Sequence, residues 1–569
     1  MKRNPFPRDP RTGRISRRFF VGAAAGATSL LAAGPDSSQD TAENIGQPAN
    51  HGSNSASERS REAYRIRVQA AQAERDLHQP TQTPNSDEAD FPTRIGNFSK
   101  GLPHNALGEV DPNAYEVFRR AMVDGGSQAD IEKIPMGSAD RKFTNPCAGA
   151  AFQLEGADSH RLAIPAAPSI QSAETAGEMV ELYWAALLRD VPFAQYDSDP
   201  IAAAAAADLS RLSNFKGPKT NGQVTPATLL RGSTAGDRVG PYISQFLLKS
   251  IPFGVQVVDQ KMRAYMPGVD YLTSFDDWLA TQNGVRASHA AQFDTTRRYV
   301  RNGRDLAQWV HIDVLYQAYF NAMLIMLASP DTGDPFTGGG MGVPLNPGNP
   351  YAKSVNQEGF GTFGAPGIAS LVAEVASRAL KTVWYQKWFV HRRLRPEAFG
   401  GLVHNRIVKK ANYPVHADVL NSQAVSRVQS KYGTALLPAA FPEGSPLHPS
   451  YGAGHATVAG ACVTILKALF DESYVIPNPV VPTADGTSLV PYTGADAGKL
   501  TVGGELNKIA ANVAIGRNIG GVHWRSDYAE SVKLGEAYAI SLLRDQKATY
   551  GEVFHGFTFT KLDGTKVTV

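Results

Sequence analysis

Cysteine is almost absent from this chain of 569 residues, which contains only Cys147 and Cys462. Two thiols are too few for a disulfide-rich scaffold, an iron–sulfur cluster or a zinc module held by cysteines. No C-x-x-C-H segment is present, so covalent attachment of a c-type haem is also excluded. One disulfide between the two residues stays open, because pairing cannot be deduced from sequence.

An excess of charge of one sign is also lacking. Lys and Arg number 56 against 53 Asp and Glu, which gives a net charge of +3 over the whole length. Proteins that bind nucleic acids or membrane surfaces usually concentrate one sign of charge, so we expect neither partner. Apolar residues make up 42% and charged residues 19% of the chain. This composition supplies a large core and excludes disorder throughout, and the length allows about four domains.

The N-terminal uncharged run is too short to span a bilayer comfortably, because Phe19 to Ala33 is only 15 residues long. It directly follows the arginine pair of Ser-Arg-Arg-Phe-Phe at residues 16–20, and this pattern resembles a twin-arginine (Tat) export signal. A chance basic pair before a helix is the alternative. We expect residues 1–34 to direct export to the periplasm or the medium. Residues 35–57, rich in Ser, Asn, Gln and Asp, are expected to form a polar linker.

From residue 58 onward the pattern predicts a mainly α fold with long loops and a few short strands. Apolar residues recur at helical spacing in six segments, namely 58–78, 175–188, 305–328, 367–388, 455–470 and 506–515. Strand-like alternation is rare and is clearest at residues 553–561. No internal repeat of 20–50 residues is visible.

Two glycine-rich segments do not indicate nucleotide sites. Residues 359–364 fit G-x-G-x-x-G, but residues 350–358 before them are polar where a dinucleotide fold needs a buried strand. The acidic residue expected about twenty positions further on is also missing. The triple glycine at 338–340 lacks the G-K-[ST] of a P-loop. Both segments are predicted to be loops.

The first of three segments that point to an oxyanion ends the predicted helix 367–388. Lys387 and Arg395 are eight residues apart, which on a helix corresponds to about 80° of rotation and about 12 Å of rise. Two long cationic side chains could then reach one point, although Pro396 disfavours a helical conformation at Arg395. The alternative is a basic helix end that complements the helix dipole.

The second segment is His-Pro-Ser-Tyr-Gly-Ala-Gly-His at residues 448–455, just before a predicted helix. Gly454 lets backbone N–H groups approach an anion at a helix N-terminus, where the dipole favours negative charge. His455 can act as an acid or a base near neutral pH. The alternative is a turn in which His448 and His455 only cap or pack.

The third segment covers residues 516–527 and joins an apolar helix to a glycine turn. Arg517 follows the apolar stretch 509–515, and a buried arginine requires an anionic partner. Asp527 is four residues beyond His523 and could orient the imidazole ring. An ordinary surface arginine and a capping histidine are the alternative for this segment alone. Together the three segments predict one site for an oxyanion.

The motifs K-x7-R-P, G-x-G-H and R-x3-G-x-H-x3-D resemble the signature shared by type-2 phosphatidic acid phosphatases and vanadium-dependent haloperoxidases. The agreement is closest with vanadium bromoperoxidases of the algal and cyanobacterial type, in the eight-residue lysine-to-arginine spacing and in H-P-S-Y-x-x-G-H at 448–455. Residues 97–104, 244–248 and 304–313 also resemble that family. The resemblance covers roughly residues 60–569.

The resemblance implies a vanadate cofactor and a fold of two four-helix bundles. The N-terminal helical half would cover about residues 58–330 and the anion-binding bundle about residues 350–569 of the catalytic domain 58–569. The residues implied to hold vanadate are His523 on the metal, Lys387, Arg395 and Arg517 on its oxygens, and the backbone N–H of Gly454. His455 would take a proton from hydrogen peroxide.

The resemblance further implies oxidation of a halide by hydrogen peroxide to hypohalous acid, which halogenates small organic nucleophiles. His448 favours bromide and iodide over chloride, because fungal chloroperoxidases tend to carry an aromatic residue there. Trp384 is expected at the pocket mouth or in the ordinary core, and Asp313 behind His455. His391 and His404 are expected to be structural. A homo-oligomer is a further family expectation.

One position departs from the family pattern, because Ala453 stands where a serine usually precedes the Gly-His pair. The missing hydroxyl would remove one hydrogen bond to the anion, which costs roughly 1.5–3 kcal/mol. An acid phosphatase of the same superfamily is the alternative function, with His523 as nucleophile and His455 as acid. A helical binding protein with a decayed site is a third reading. The lysine-to-arginine spacing and His448 favour the peroxidase.

Overall fold

The structure is a computed structural model that describes residues 55–328 and 340–569. The expected export signal at 1–34 lies outside the described residues, as do residues 35–54 of the expected linker and 338–339 of the triple glycine. The first described helix already begins at Ala56, inside the stretch expected to be linker. A search of the described residues finds no helix with the length and apolar character needed to cross a membrane.

Helices dominate the described residues, which confirms the mainly α prediction. The helices are α1 Ala56–Asp76, α2 Asp87–Asp90, α3 Pro112–Val123, α4 Gln128–Ile131, α5 Ala173–Leu188, α6 Pro200–Ser210, α7 Phe275–Gln282, α8 Gly303–Trp309, α9 Gln317–Leu327, α10 Ala365–Tyr385, α11 Pro396–Ile407, α12 Ala417–Leu420, α13 Gln423–Tyr432, α14 Gly454–Leu469, α15 Val502–Ile519 and α16 Arg525–Lys547. A π-helical turn, Gln386–His391, extends α10.

The strands form four separate two-stranded antiparallel sheets within the described ranges. They are β1 Ile251–Phe253 with β2 Gln256–Val258, β3 Met262–Tyr265 with β4 Phe293–Arg298, β5 Val480–Pro482 with β6 Leu489–Pro491, and β7 Thr558–Thr560 with β8 Lys566–Thr568. The predicted strand at 553–561 is therefore mostly wrong, because only Thr558–Thr560 pairs. Residues 553–557 precede it as irregular chain.

Helix α14 occupies the centre of a bundle formed with α10, α15 and α16. Every residue of α14 is buried except His455, so the helix is packed on all sides and only His455 keeps a partly exposed side chain. Glycines permit close contact with α16: a Cβ atom on Gly460 would lie 1.9 Å from the carbonyl oxygen of Val532. A Cβ atom on Gly535 would lie 1.9 Å from that of Thr457. This close packing holds the N-terminus of α14 firmly against its neighbours.

A second group of helices packs around α5, which contacts α6, α12 and α13. Helix α5 is buried over nearly its whole length and includes two buried acidic residues, Glu178 and Glu181. Both carboxylates bind arginines of the C-terminal half, Arg393 and Arg525 respectively. Buried ion pairs thereby connect the two halves of the sequence next to the functional site.

The predicted single helix at 305–328 is wrong, because the structure divides it into α8 and α9. Residues 310–316 between them form no regular helix, and His311, Asp313 and Leu315 point inward while Ile312 and Val314 are exposed. The Val310 carbonyl at the end of α8 instead accepts a hydrogen bond from Arg517 Nη1 at 2.9 Å. Tertiary partners therefore override the helical periodicity of this segment.

The lysine and arginine of the first motif do not share a helix, contrary to the spacing argument. The chain leaves the helix at Arg392, whose φ of 42° is left-handed, and Arg395 directly precedes α11. Pro396 occupies the first turn of α11, where a backbone N–H would have no partner within the helix, so the proline costs no hydrogen bond.

The two cysteines do not form a disulfide, because Cys147 is exposed, Cys462 is buried and both are free.

Candidate active site

The three predicted segments meet at one cavity of about 400 Å³. His448, Gly454, His455, Arg517 and His523 all contribute to its wall. The remaining lining residues are Arg141, Thr144, His311, Leu315, Leu380, Trp384, Glu443, Gly444 and Pro446. Lys387 and Arg395 are fully buried and bind to His448. The structure thus brings together all seven residues that the sequence motifs indicated.

Lys387 and Arg395 converge on the imidazole of His448. Lys387 Nζ lies 2.9 Å and Arg395 Nη2 lies 2.8 Å from His448 Nδ1. An ammonium and a guanidinium can only donate, so Nδ1 is the unprotonated acceptor of the ring. The chain turns sharply at Arg392, between the two cations, and both side chains reach the same ring nitrogen.

His523 is held with its Nε2 atom toward Arg395, whose Nη1 lies 3.0 Å away. Its Nδ1 atom lies 2.7 Å from the carboxylate of Asp527, which accepts the Nδ1 proton. His523 Nε2 therefore carries a lone pair that can bind a metal or an electrophile. The expected His523–Asp527 pair is present, although Asp527 lies in the first turn of α16 and His523 precedes that helix.

Asp527 is a fully buried carboxylate with four donors. Oδ2 accepts from His523 Nδ1, from Ser450 Oγ and from the backbone N–H of Trp524 at 3.1 Å. Oδ1 accepts from Arg393 Nη1 at 3.1 Å. The guanidinium of Arg393 also binds Glu178 at 2.9 Å. This network fixes the orientation of the His523 ring from behind.

Arg517 is a buried cation that lacks a full set of partners. Its Nη1 donates to the Val310 carbonyl at 2.9 Å, while Nε is buried and has no hydrogen-bond partner among the described residues. The guanidinium lies 5.7 Å from the ring of Phe441 and borders the cavity. An orphaned buried donor next to a cavity is the arrangement that an anionic ligand would complete.

The N-terminus of α14 opens onto the same cavity through Gly454. Ala453 is the N-cap residue, and its methyl side chain cannot accept a hydrogen bond. The first backbone N–H groups of the helix therefore receive no side-chain cap from Ala453. The backbone N–H of Ala453 itself donates to Ser531 Oγ at 2.8 Å. His455 Nε2 lies 3.0 Å from Asp313 Oδ1, so the expected carboxylate does stand behind this histidine.

The site gathers an excess of positive charge on buried side chains. Burial, reinforced by Arg395, lowers the pKa of Lys387 well below its ordinary value. Burial lowers the pKa of Arg395 to about 9 and also lowers that of Arg517. The pKa values of His448 and His523 fall for the same reason, with further repulsion from Lys387 and Arg395. A multiply charged oxyanion would relieve this repulsion through charge-assisted hydrogen bonds.

The other residues considered from sequence occupy defined places. Trp384 lines the cavity, packs 4.8 Å from the His448 ring and lies 5.1 Å from Lys387 Nζ, so it is both a wall and part of the core. His391 is buried against Tyr451. His404 accepts a hydrogen bond from the backbone of Ala435. Neither of these two histidines lines the cavity.

Several contributors were not indicated by the sequence patterns. Ser531 accepts a hydrogen bond from Ala453, and Arg393 donates one to Asp527, in both cases between residues far apart in the sequence. Arg393 also stands among other basic residues, so no pattern singled it out. Arg141 and Glu443 line the cavity from loops without a recognisable motif. His311 stood in a segment that resembled the family, yet its partner Glu443 is 132 residues away.

Comparisons with known proteins agree with this geometry. Residues 370–550 match the family model described as the VCPO second helical-bundle domain. A vanadium-dependent bromoperoxidase of Corallina pilulifera is 37% identical over 570 residues, covering 85% of this chain and 92% of the relative. The Ascophyllum nodosum vanadium-dependent bromoperoxidase is 35% identical over 519 residues, covering 87% and 90%.

A solved structure extends the similarity to the fold. The second vanadate-dependent bromoperoxidase of Ascophyllum nodosum, a homohexamer, has a TM-score of 0.82 and 31% identity, with 95% of each chain covered. Such identity over nearly the full length of both chains is sufficient to assign the family. This chain belongs to the vanadium-dependent bromoperoxidases.

Proposed function

We propose that the protein is a vanadate-dependent enzyme that oxidises bromide and iodide with hydrogen peroxide. The hypohalous acid so formed halogenates small organic nucleophiles. The observation that carries the proposal is the convergence of Lys387, Arg395, Arg517 and His523 beside one cavity. The names of the relatives support the same activity.

The residues present fit vanadate. The orphaned Nε of Arg517, the lysine and arginine at His448 and the open N-terminus of α14 are suited to an oxyanion. His523 Nε2 would be the ligand to the metal, and Lys387, Arg395, Arg517 and the N–H of Gly454 would hold its oxygens. When bound, vanadate supplies a Lewis acid that activates peroxide for two-electron oxidation of a halide without changing its own oxidation state.

His455 is assigned the proton transfer from hydrogen peroxide. Its Nε2 is engaged with Asp313, which leaves Nδ1 to exchange the proton. The carboxylate stabilises the imidazolium that forms when the proton is taken up. The position of His455 as the one residue of α14 that is not buried agrees with this role.

His448 supports the preference for bromide and iodide. Its ring binds Lys387 and Arg395 at one nitrogen and borders the cavity. A polar imidazole therefore occupies the position at which fungal chloroperoxidases tend to carry an aromatic side chain.

We further propose export by the Tat route through residues 16–33, and assembly into a homo-oligomer. The homohexamer of the Ascophyllum nodosum relative supports the assembly.

The decisive experiment is a bromination assay with monochlorodimedone, vanadate and peroxide, run beside hydrolysis of p-nitrophenyl phosphate. We expect bromide-dependent bromination, triiodide formation from iodide, and little turnover with chloride. Brisk phosphate hydrolysis with no bromination despite bound vanadate would instead establish the phosphatase, with His523 as nucleophile. The His455→Ala variant should lose bromination while it still binds vanadate.

A further inference from the structure

A second histidine–carboxylate pair lies on the wall of the same cavity, beside the anion site. His311 Nε2 is 2.6 Å from Glu443 Oε1, and His311 Nδ1 is 2.7 Å from Tyr265 Oη. A carboxylate without its proton only accepts, so Nε2–H donates to Glu443 and the hydroxyl of Tyr265 donates to Nδ1. Burial and the charge of Glu443 raise the pKa of Tyr265, which keeps this hydroxyl protonated.

The carboxylate of Glu443 is ionised and remains accessible. Burial alone would raise its pKa, but the hydrogen bond from His311, together with the nearby charge of Arg141, outweighs that effect and the pKa is lowered. The side chain is 33% exposed and lines the cavity. A negative charge in this position repels anions and favours a neutral ligand that carries a hydrogen-bond donor.

The position of Glu443 is rigidly supported. Its backbone carbonyl accepts from Lys100 Nζ at 2.9 Å and from Arg141 Nη1 at 3.2 Å. Lys100 is buried in an ion pair with Glu397. The His311 ring stacks on Phe441 with a centroid distance of 3.8 Å. Direct support from the three side chains Lys100, Arg141 and His311 is typical of a group that must be held in place for a ligand.

We infer that Glu443, held by His311, forms with Leu315, Leu380 and Trp384 a binding site for the organic acceptor of the halogen. The site takes a neutral, electron-rich aromatic ring that carries an O–H or N–H donor, as phenols and indoles do. Glu443 accepts the donor's hydrogen bond, and the apolar side chains cover the ring. A cavity of about 400 Å³ accommodates one such molecule beside the anion site.

This inference rests on the proposed function and extends it. A bound acceptor receives the halogen inside the cavity, whereas an acceptor without a donor reacts mainly with hypohalous acid that has escaped into solution. The enzyme therefore brominates an acceptor with a donor faster than one without, although free hypobromous acid brominates the two at similar rates. Selection by a single N–H group is the measurable consequence.

The test is a competition between indole and 1-methylindole, which differ in the N–H donor, during turnover with bromide and peroxide. The product ratio is compared with that from reagent hypobromous acid at the same pH. We expect the enzyme to favour brominated indole over the reagent ratio by about tenfold, the effect of one hydrogen bond to a charged acceptor. The ratio does not depend on the total turnover rate.

The Glu443→Leu variant should return the ratio to that of the reagent, and the Glu358→Leu variant at an exposed loop position should keep the wild-type ratio. A wild-type ratio equal to the reagent ratio, or an unchanged preference in Glu443→Leu, would overturn the inference.

A second measurement covers the case in which Glu443→Leu does not fold. Saturation-transfer NMR on the vanadate-loaded wild type, without peroxide or halide, should show transfer to indole well above that to 1-methylindole. Equal transfer to both, or none, would contradict the site. Because this measurement involves no halide oxidation, its failure is separate from failure of the proposed function, which would appear as absent triiodide formation from iodide.

Discussion

His523 and Asp527 form a hydrogen bond of 2.7 Å that fixes which nitrogen of the imidazole faces the cavity. The carboxylate accepts the Nδ1 proton, so Nε2 is left without one and points toward Arg395. Both side chains are almost completely buried, at 2% and 0% exposure. A ring that is held in one tautomer and one orientation is prepared to bind a metal without reorganisation.

The Asp527→Asn variant should bind vanadate about 10–100-fold more weakly, because an amide no longer selects the Nδ1-protonated form of His523. The Kd is measured by equilibrium dialysis, and the Tm of the vanadate-free protein is measured alongside. The Asp563→Asn variant, at a side chain that is 56% exposed, is the matched control. An unchanged Kd in a folded Asp527→Asn protein would contradict the positioning role.

The Ala453→Ser variant should tighten vanadate binding by about tenfold or more, because the hydroxyl adds a hydrogen bond to a charged acceptor. Ala453 is 3% exposed at the N-cap of α14, next to the cavity-lining Gly454. A serine there could instead cap its own helix, which stabilises the protein by about 1 kcal/mol.

The two outcomes for Ala453→Ser are distinguished by measuring the vanadate Kd and the Tm of the vanadate-free protein. A higher Tm with an unchanged Kd would show that the hydroxyl caps α14 and does not reach the anion. The Ala453→Gly variant, which adds no hydroxyl, serves as the control.

The Lys387→Met variant should raise the free energy of unfolding of the vanadate-free protein by about 1–3 kcal/mol, because it removes a buried charge that Arg395 repels. The pKa of Lys387 is lowered on folding, so at neutral pH the unfolded chain holds this proton more tightly and the charge destabilises the fold. The increase in Tm on adding vanadate should be largely lost in the variant.

The Lys387→Met experiment uses urea denaturation with and without vanadate. The exposed Lys533→Met variant is the control, since its side chain is 62% exposed. A less stable vanadate-free protein would mean that the hydrogen bonds of Lys387 to His448 and Pro449 outweigh its desolvation.

The His391→Phe variant should make the protein less sensitive to acid. Burial and the charges of Arg392 and Arg393 lower the pKa of His391 to about 3, below the value of about 6.5 in an unfolded chain. Between these values only the unfolded state binds the proton. The free energy of unfolding therefore falls as the pH drops below about 6.5, by up to about 1.4 kcal/mol per pH unit.

Phenylalanine keeps the ring contact with Tyr451, and neither nitrogen of His391 has a hydrogen-bond partner within the described ranges. Urea titrations at pH 7, 6 and 5 should show a smaller loss of stability in His391→Phe than in the wild type. The same substitution at His289, which is 68% exposed, is the comparison. Equal pH slopes in His391→Phe and the wild type would disprove the effect.

The sequence by itself determined the fold class, the family resemblance and the residues that meet at the cavity. These follow from local features: apolar periodicity for helices such as α14, and short motifs around Lys387, His455 and His523. Glycines next to a histidine at a helix start are sufficient to indicate an anion site, because the chemistry of a helix N-terminus is local. The polar stretch before the glycine motif at 359–364 likewise excluded a dinucleotide-binding fold from the sequence alone.

Only the tertiary structure decided how those residues meet. Lys387 and Arg395 converge because the chain turns sharply at Arg392. The predicted helix 305–328 breaks so that His311 and Asp313 reach partners 132 and 142 residues away. Long-range hydrogen bonds outweigh local helix propensity, which differs by only about 1 kcal/mol between most residues. The net charge of +3 did not indicate this site, because a sum over the whole chain does not show that cations from three distant segments lie together.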